Sequence, residues 1–466
     1  MINRLFRFTW FPLALQLITL GVFILLIAGG LAANTDDMVF AKVLRNTNVA
    51  NLIVWSYWWP LIILSSIFLG RVWCTVCPME LVTSLAAKVG LKKKPPSFFR
   101  NGWVVTGFFI LIIFIGVNTL AIHRVPFRMA VYMIILFFTA VASGLIFSRN
   151  TFCAHVCPVG RLLGIYARHA PIGWGVKDKD VCKSCKDRSC ISLKTAYNFQ
   201  GHSCNVGLRP ATLDDNTDCL LCGQCLKACD RYNPGGEERP NPGIFSRKWF
   251  KDLLTLKPLT TSQAVLCLVV SGFVIDEVFS EWSFTKKLLR GPPESLAQIF
   301  GGGPFATGPI NALVLFAALP LLLWLLPFAV FRIIGGRIRF GEFFLRFGIA
   351  FIPIMAAAHG IKALVKMTSR IPFWKYVPSD PIGEKTAQSI MNNKVHLSAL
   401  PSWSDWIITA LAITLMGISV ALSVVIIRKL ITKHLPNSGR RSIPLYLIPA
   451  IYGGGFLLMI LAWRLF

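Results

Sequence analysis

The segment Leu61-Ile62-Ile63-Leu64-Ser65-Ser66-Ile67-Phe68-Leu69-Gly70-Arg71-Val72-Trp73-Cys74-Thr75-Val76-Cys77-Pro78 decides the fold. Its apolar part closes an uncharged run that begins at Leu52. A helix needs about 20 such residues to cross about 30 Å of hydrocarbon, where every backbone polar group must be satisfied within the segment. The run stops at Arg71, and two cysteines and a proline come directly after it. A membrane span that ends in this way sets thiols at a membrane boundary.

Eight more stretches have the same character, giving an all-α polytopic membrane protein of about nine spans. They run approximately Phe11 to Ala33, Leu52 to Gly70, Trp103 to Ile122, Met129 to Ser148, Leu259 to Ile275, Pro309 to Phe331, Phe347 to Leu364, Trp406 to Ile427 and Ile443 to Trp463. The fifth is short and ends on Asp276 and Glu277; the seventh carries His359 and Lys362. The first comes after basic residues through Arg7 and resembles a signal peptide, but its apolar run exceeds the 7 to 15 residues of a signal core, so an uncleaved anchor is expected. Composition agrees: 55% of the 466 residues are hydrophobic and only 15% charged, which excludes an ordinary soluble enzyme.

The net charge of +27 suggests an anionic partner, nucleic acid or membrane. Its distribution selects membrane lipid and excludes nucleic acid. With the N-terminus inside, short inner segments carry 24 Lys/Arg against 3 Asp/Glu, whereas outer segments carry 14 against 9. Basic residues in short loops resist translocation, so this bias fixes orientation. The longest polar insert, about Pro171 to Pro258, is then cytoplasmic, and the expected location is a bacterial inner membrane. Three segments result: a four-helix membrane part (1–170), the insert (171–258) and a five-helix membrane part of unassigned role (259–466).

Eight cysteines lie in the insert. Cys219, Cys222, Cys225 and Cys229 have the spacing C-x2-C-x2-C-x3-C, the bacterial ferredoxin run, in which three thiolates reach corners of one [4Fe-4S] cube and the fourth serves another. Cys182, Cys185, Cys190 and Cys204 form a looser version. Crossing the fourth ligands assigns Cys182, Cys185, Cys190 and Cys229 to one cluster and Cys204, Cys219, Cys222 and Cys225 to the other, in a ferredoxin-like α+β domain with two clusters. Asp230 and Asn205 stand where such runs usually have proline. Zinc also uses C-x2-C pairs, but histidines at ligand-like spacing are missing from this pattern. A reducing compartment disfavours disulfides.

The motif of the second span recurs after the fourth as Arg149-Asn150-Thr151-Phe152-Cys153-Ala154-His155-Val156-Cys157-Pro158. Both copies read basic residue, aromatic-Cys, a short spacer, then Val-Cys-Pro, an internal repeat of a two-span unit. Each proline suits the first turn of a succeeding helix. Cys74, Cys77, Cys153 and Cys157 are therefore candidates for a further cluster or metal, or for a redox-active dithiol pair of low pKa near Arg71 and Arg149. Packing as small apolar residues is the alternative, and the reading for Cys267 in the fifth span.

From about Leu52 to Pro240 the chain resembles the polytopic membrane ferredoxins of the NapH and NosR type, related to CcoG-like assembly proteins. The likeness rests on paired spans, two Cys-Pro motifs and a subsequent two-cluster segment that includes Cys204-Asn-Val-Gly-Leu-Arg-Pro. Those families more often have three residues between the paired cysteines, as Cys153 and Cys157 do; Cys74 and Cys77 have two. The resemblance implies electron transfer between the quinone pool or cytoplasmic donors and a respiratory or assembly partner. The function expected is a relay between the quinone pool or a periplasmic partner and cytoplasmic-side [4Fe-4S] clusters. A redox assembly factor that reduces a metal for a respiratory enzyme, and a transporter with a redox-sensing domain, are the rival readings. In the last five spans His359 and Lys362, with His123 after the third span, are candidates for a quinone or haem site, because ionisable residues inside membranes are functional candidates by default. Headgroup-facing polar residues would look the same.

Overall fold

In the computed structural model the described residues are 2–199, 201–229, 241–397 and 401–465; Asp230 and the chain through Pro240 lie outside them. The chain is mostly helical. Among the described residues eight helices are long and apolar enough to cross a membrane: Leu13–Leu31, Val49–Leu69, Pro126–Ile146, Thr261–Phe279, Ala306–Ile333, Phe340–Tyr376, Trp403–His434 and Gly439–Arg464. The stretch expected from Trp103 to Ile122 is helical only over Trp103–Val117. Asn118 ends it by turning its amide back onto the Ile113 carbonyl. At 1.5 Å per residue this helix is about 22 Å long, shorter than a full span.

The two spans least evident by hydropathy have a physical reason for it. In Thr261–Phe279 and in Phe340–Tyr376, 78% of the apolar window is buried in protein, against 22–44% in the other six. Helices that face neighbours rather than lipid can carry polar groups wherever partners exist. The first of them starts with a capping box, Thr260 receiving the Gln263 amide while the Gln263 side chain receives that of Thr260.

Two compact units form, each from three separate pieces of chain. The first comprises Met1–Ala28, Leu64–Phe108 and Ala130–Asp252. It contains the cysteine-rich insert, which has little regular structure of its own. An antiparallel pair, β1 (Ile172–Val176) and β2 (Pro242–Ser246), closes its two ends together with Trp174 opposite Ile244. Phe6, Trp174, Leu221, Cys225 and Leu226 make a small apolar core against this pair. The N-terminal helix Ile2–Arg7 supplies Phe6, edge-on to Trp174 at 5.7 Å, and Asn3, which bonds both the amide and the carbonyl of Ile244.

Close backbone approach joins the insert to the helix after the second Cys-Pro motif, Pro158–Tyr166. A Cβ on Gly164 would fall inside contact distance of the Thr217 carbonyl, and backbone cannot yield as a flexible side chain does. Gly164→Ala is therefore expected to destabilise this unit by about 2 kcal/mol, the usual cost of overpacking, read as a lower denaturant midpoint.

The second unit comprises Gly29–Ile63, Phe109–Met129 and Leu253–Phe466. Thr261–Phe279 and Phe351–Ser369 pack against each other at its centre, and Trp403–His434 lies against the latter. Trp324 stacks on Phe351 with centroids 4.3 Å apart, and Tyr452 donates its hydroxyl to the Ser271 carbonyl.

Candidate functional site

The eight cysteines of the insert fall around two cavities. Cys182, Cys185, Cys190 and Cys229 line one; Cys204, Cys219, Cys222 and Cys225 line the other. The fourth residue of each run thus faces the three of the other run. Left-handed backbone at Leu221 and Gly223 turns the tight loop between the last three cysteines, and a side chain at Gly223 would strike the Phe6 ring. Polar hydrogens point at sulfur: the Asn241 amide reaches Cys182 Sγ at 3.0 Å, and the Leu208 N–H reaches Cys204 Sγ at 3.3 Å. Such donors stabilise the charge on thiolate ligands.

Burial, reinforced by neighbouring thiols, pushes Cys190 up to about 11. Burial pushes Cys219 up to about 12, and Cys222 and Cys225 well above the ordinary thiol value. These groups are protonated without a bound cation, so loading an iron cluster must release protons. Among the described residues no three His, Cys, Asp or Glu side chains converge closely enough to hold a single metal ion. Four thiols spread around a cavity suit a multinuclear cluster better than one zinc ion.

The two Cys-Pro motifs come together in the same unit. Cys77 and Cys157 are each the N-cap of a helix whose first residue is proline, Pro78–Val89 and Pro158–Tyr166. Cys157 Sγ accepts the Gly160 amide at 3.3 Å. Cys77 is pushed up by burial and by the charges of Cys74 and Cys157, Cys153 by burial and by those of Cys157, Cys77 and Cys74. Burial outweighs the lowering by Arg71 and pushes Cys157 up to about 11, the opposite of the low value expected for a dithiol beside the arginines. The four thiols therefore feel one another, and two helix N-termini face them, a setting suited to an anionic ligand set. The unequal spacers are accommodated locally. Val72–Val76 is α-helical, whereas Phe152–Val156, with one residue more between its cysteines, is wound as a π-helix. A π turn absorbs a single inserted residue and leaves the next helix in place.

Arg71 and Arg149 have a role that their places in the motif do not reveal. Arg71 is buried and donates to the Thr217 carbonyl at 3.1 Å, two residues before Cys219. Arg149 donates to the Cys204 carbonyl at 3.2 Å and that of Ile191 at 3.0 Å. Each repeat thus ties down backbone beside cysteines of the insert. Glu80, which no motif singles out, is buried in the first turn after Cys77 and accepts from Gln16 at 2.7 Å, Asn205 at 2.7 Å and Ser84 at 3.1 Å. Its charge is felt at both Cys153 and Cys222. One sequence signal existed: Glu80 is the lone acidic residue between Arg71 and Gly102.

The candidates outside the cysteines are separated. His123 and Lys362 line one large chamber in the second unit. His359 is instead buried between the rings of Trp59 and Phe273, each with its centroid 5.9 Å away. Cys267 is fully buried in Thr261–Phe279.

Comparison with known proteins falls on the first unit's motifs. The 4Fe-4S binding domain family Fer4_5 matches residues 51–97 and 129–179, the two copies of span and Cys-Pro motif. The chain is similar to the ferredoxin-type protein NapH of Escherichia coli, 29% identical over 88 residues, 17% of this chain and 27% of that one. It is also similar to the methylamine utilization ferredoxin-type protein MauN of Paracoccus denitrificans, 27% identical over 171 residues, 34% and 56% of the two chains. An uncharacterized protein of Methanocaldococcus jannaschii is 26% identical over 170 residues, 35% and 62%. The matches thus span between about a quarter and under two thirds of these relatives' lengths. No solved structure matches.

Proposed function

We propose, from the premise that the chain is a membrane ferredoxin of the NapH type, that it relays electrons between the quinone pool or a periplasmic partner and [4Fe-4S] clusters on the cytoplasmic side. A multi-pass membrane protein with a 4Fe-4S binding domain is the established part of this reading. One observation carries the rest: twelve of the thirteen cysteines fall into three groups of four within one compact unit.

Two groups, Cys182/Cys185/Cys190/Cys229 and Cys204/Cys219/Cys222/Cys225, would hold the two clusters of the insert. Cys74, Cys77, Cys153 and Cys157 would hold a third, at the membrane face. When bound, a [4Fe-4S] cluster accepts and returns single electrons. The protein's own residues hold and bury each site, and they set its potential. Asn241 and the Leu208 amide donate to sulfur. Arg71 and Arg149 fix the intervening backbone.

Glu80 supplies a test through potential. One negative charge at about 10 Å, with an effective dielectric of about 20, is worth about 1.7 kcal/mol, or about 70 mV for one electron. Removing it favours the reduced state. Glu80→Gln is thus expected to raise the midpoint potentials of the transitions nearest Cys153 and Cys222 by about 70 mV in a redox titration monitored by EPR. An unchanged set of potentials would remove Glu80 from this role, and a chain without low-potential EPR transitions would remove the relay itself.

A further inference from the structure

A chamber of about 830 Å³ opens in the second unit, within the size range of small-molecule sites. Eight basic and four acidic side chains line it. The acids are already engaged: Asp276 with Arg290 at 3.1 Å, Asp405 with Arg464 at 3.1 Å, and both Glu277 and Glu281 with Lys362. Arg45, Arg124, Lys366 and Arg370 have no ion-pair partner among the described residues; their charged neighbours include one another, and Asp276, Glu277 and Glu281, which act on them from beyond ion-pair distance, are already bound to Arg290 and Lys362. Their walls come from three separate parts of the chain, the helices Met38–Thr47 and Phe351–Ser369 with the residue that caps it, and the turn before Pro126.

Other groups on the wall also lack what an anionic ligand would supply. Arg124 Nε donates to His123 Nε2 at 3.0 Å, so the proton of this neutral imidazole sits on Nδ1, which is buried without a partner. Burial and the Arg124 charge hold His123 well below its ordinary value. Arg370 Nε is likewise buried and unpartnered. Burial and the facing Arg370 also lower Arg45. Phe273, Phe316 and Phe373 add apolar wall.

We propose that this chamber binds an organic anion, its carboxylate or phosphate group held by Arg45, Arg124, Lys366 and Arg370 and its apolar part against the phenylalanines. An uncharged quinone head would leave four cations without a direct ion-pair partner, and an inorganic ion would fill little of the volume. Arg45, Arg124, Lys366 and Arg370 all belong to segments that the charge bias of the loops assigns to the outer side, so the ligand enters from there. This inference is independent of the electron-relay reading.

The test uses the full chain in detergent and the ligand-dependent change in its tryptophan fluorescence, to which Trp463 on the chamber wall contributes. Succinate, short-chain phosphatidic acid and uncharged duroquinone serve as probes. Saturable binding of one of the two anions is expected, weakened about tenfold by Lys366→Gln and by Arg370→Gln, restored by Lys366→Arg, and unchanged by Lys375→Gln, which is not among the walls. Binding of succinate alone assigns a soluble ligand, and of phosphatidic acid alone a lipid headgroup. Binding of duroquinone alone, equal anion affinity in the variants, or no anion binding to the wild-type chain overturns the proposal. If a Gln variant fails to fold, wild-type affinity must still fall steeply with added salt; salt-independent binding overturns it as well.

Discussion

Cys222→Ser is expected to remove about four irons per chain and to loosen the whole insert. Cys222 lines the cavity with Cys204, Cys219 and Cys225, and the adjoining core contains Cys225, Leu221, Trp174 and Phe6. Around it the backbone is mostly irregular: between β1 and β2 the described chain has only short helices such as Lys179–Ser184 and Gln224–Lys227. With so little regular structure, binding free energy at the thiolates becomes folding free energy, as it does in small metal-stabilised domains, where it is on the order of 10 kcal/mol. A serine oxygen is a poor substitute for thiolate toward iron–sulfur centres. The outcome is read in two ways, as iron and sulfide content and as faster proteolysis within residues 177–229 while the membrane helices stay resistant. Wild-type iron content in the variant would detach this cavity from cluster binding.

The second large effect concerns the membrane motifs. Replacing Cys74, Cys77, Cys153 and Cys157 together by serine is expected to slow quinol-dependent reduction of the remaining clusters at least about tenfold, while chemical reduction by dithionite still reaches them. The reason is positional. Cys77 and Cys157 each cap a helix N-terminus, Cys74 and Cys153 lie in the turns just before them, and Arg71 and Arg149 connect each motif to backbone beside the insert's cysteines. If these cysteines merely pack, serine is nearly isosteric and the rate of quinol-dependent reduction will not change. Stopped-flow absorbance of the clusters distinguishes the two outcomes. Loss of reduction by dithionite as well would indicate damage to the insert rather than to the route.

Much of this architecture was legible along the chain. Hydropathy marks helices whose apolar faces meet lipid, and it marked Leu13–Leu31 and Pro126–Ile146 plainly because most of their surface is unburied. It marked Thr261–Phe279 and Phe340–Tyr376 weakly because their neighbours are protein. The crossed pairing of cysteines is an expectation from ferredoxin spacing; Cys182, Cys185, Cys190 and Cys229 line one cavity and Cys204, Cys219, Cys222 and Cys225 the other. Spacing does not encode which distant groups meet. Glu80 faces Asn205 and Gln16, 125 and 64 residues away, so its place beside two thiol groups is visible only after folding. The same holds for the units, each assembled from three pieces. His123, His359 and Lys362 looked alike as intramembrane or interfacial ionisable residues. Packing separates them: rings enclose His359, while the other two open onto the chamber.

The unequal cysteine spacers carry a similar lesson. Read as a pattern, Cys74 to Cys77 departs from the three-residue spacing of Cys153 to Cys157. In three dimensions both second cysteines still cap helices that begin with proline, because the longer copy takes up its extra residue as a π turn. Equivalent geometry has been reached with unequal sequence.

Iron and acid-labile sulfide, counted per chain after anaerobic purification and paired with EPR of the reduced protein, test the central claim most directly. Three groups of four thiols predict about twelve irons, with reduced [4Fe-4S] signals whose interaction reports neighbouring clusters. About eight irons in fully loaded protein would contradict the cluster at Cys74, Cys77, Cys153 and Cys157. Fewer than about eight, or stoichiometric zinc in place of iron, would contradict the account as a whole.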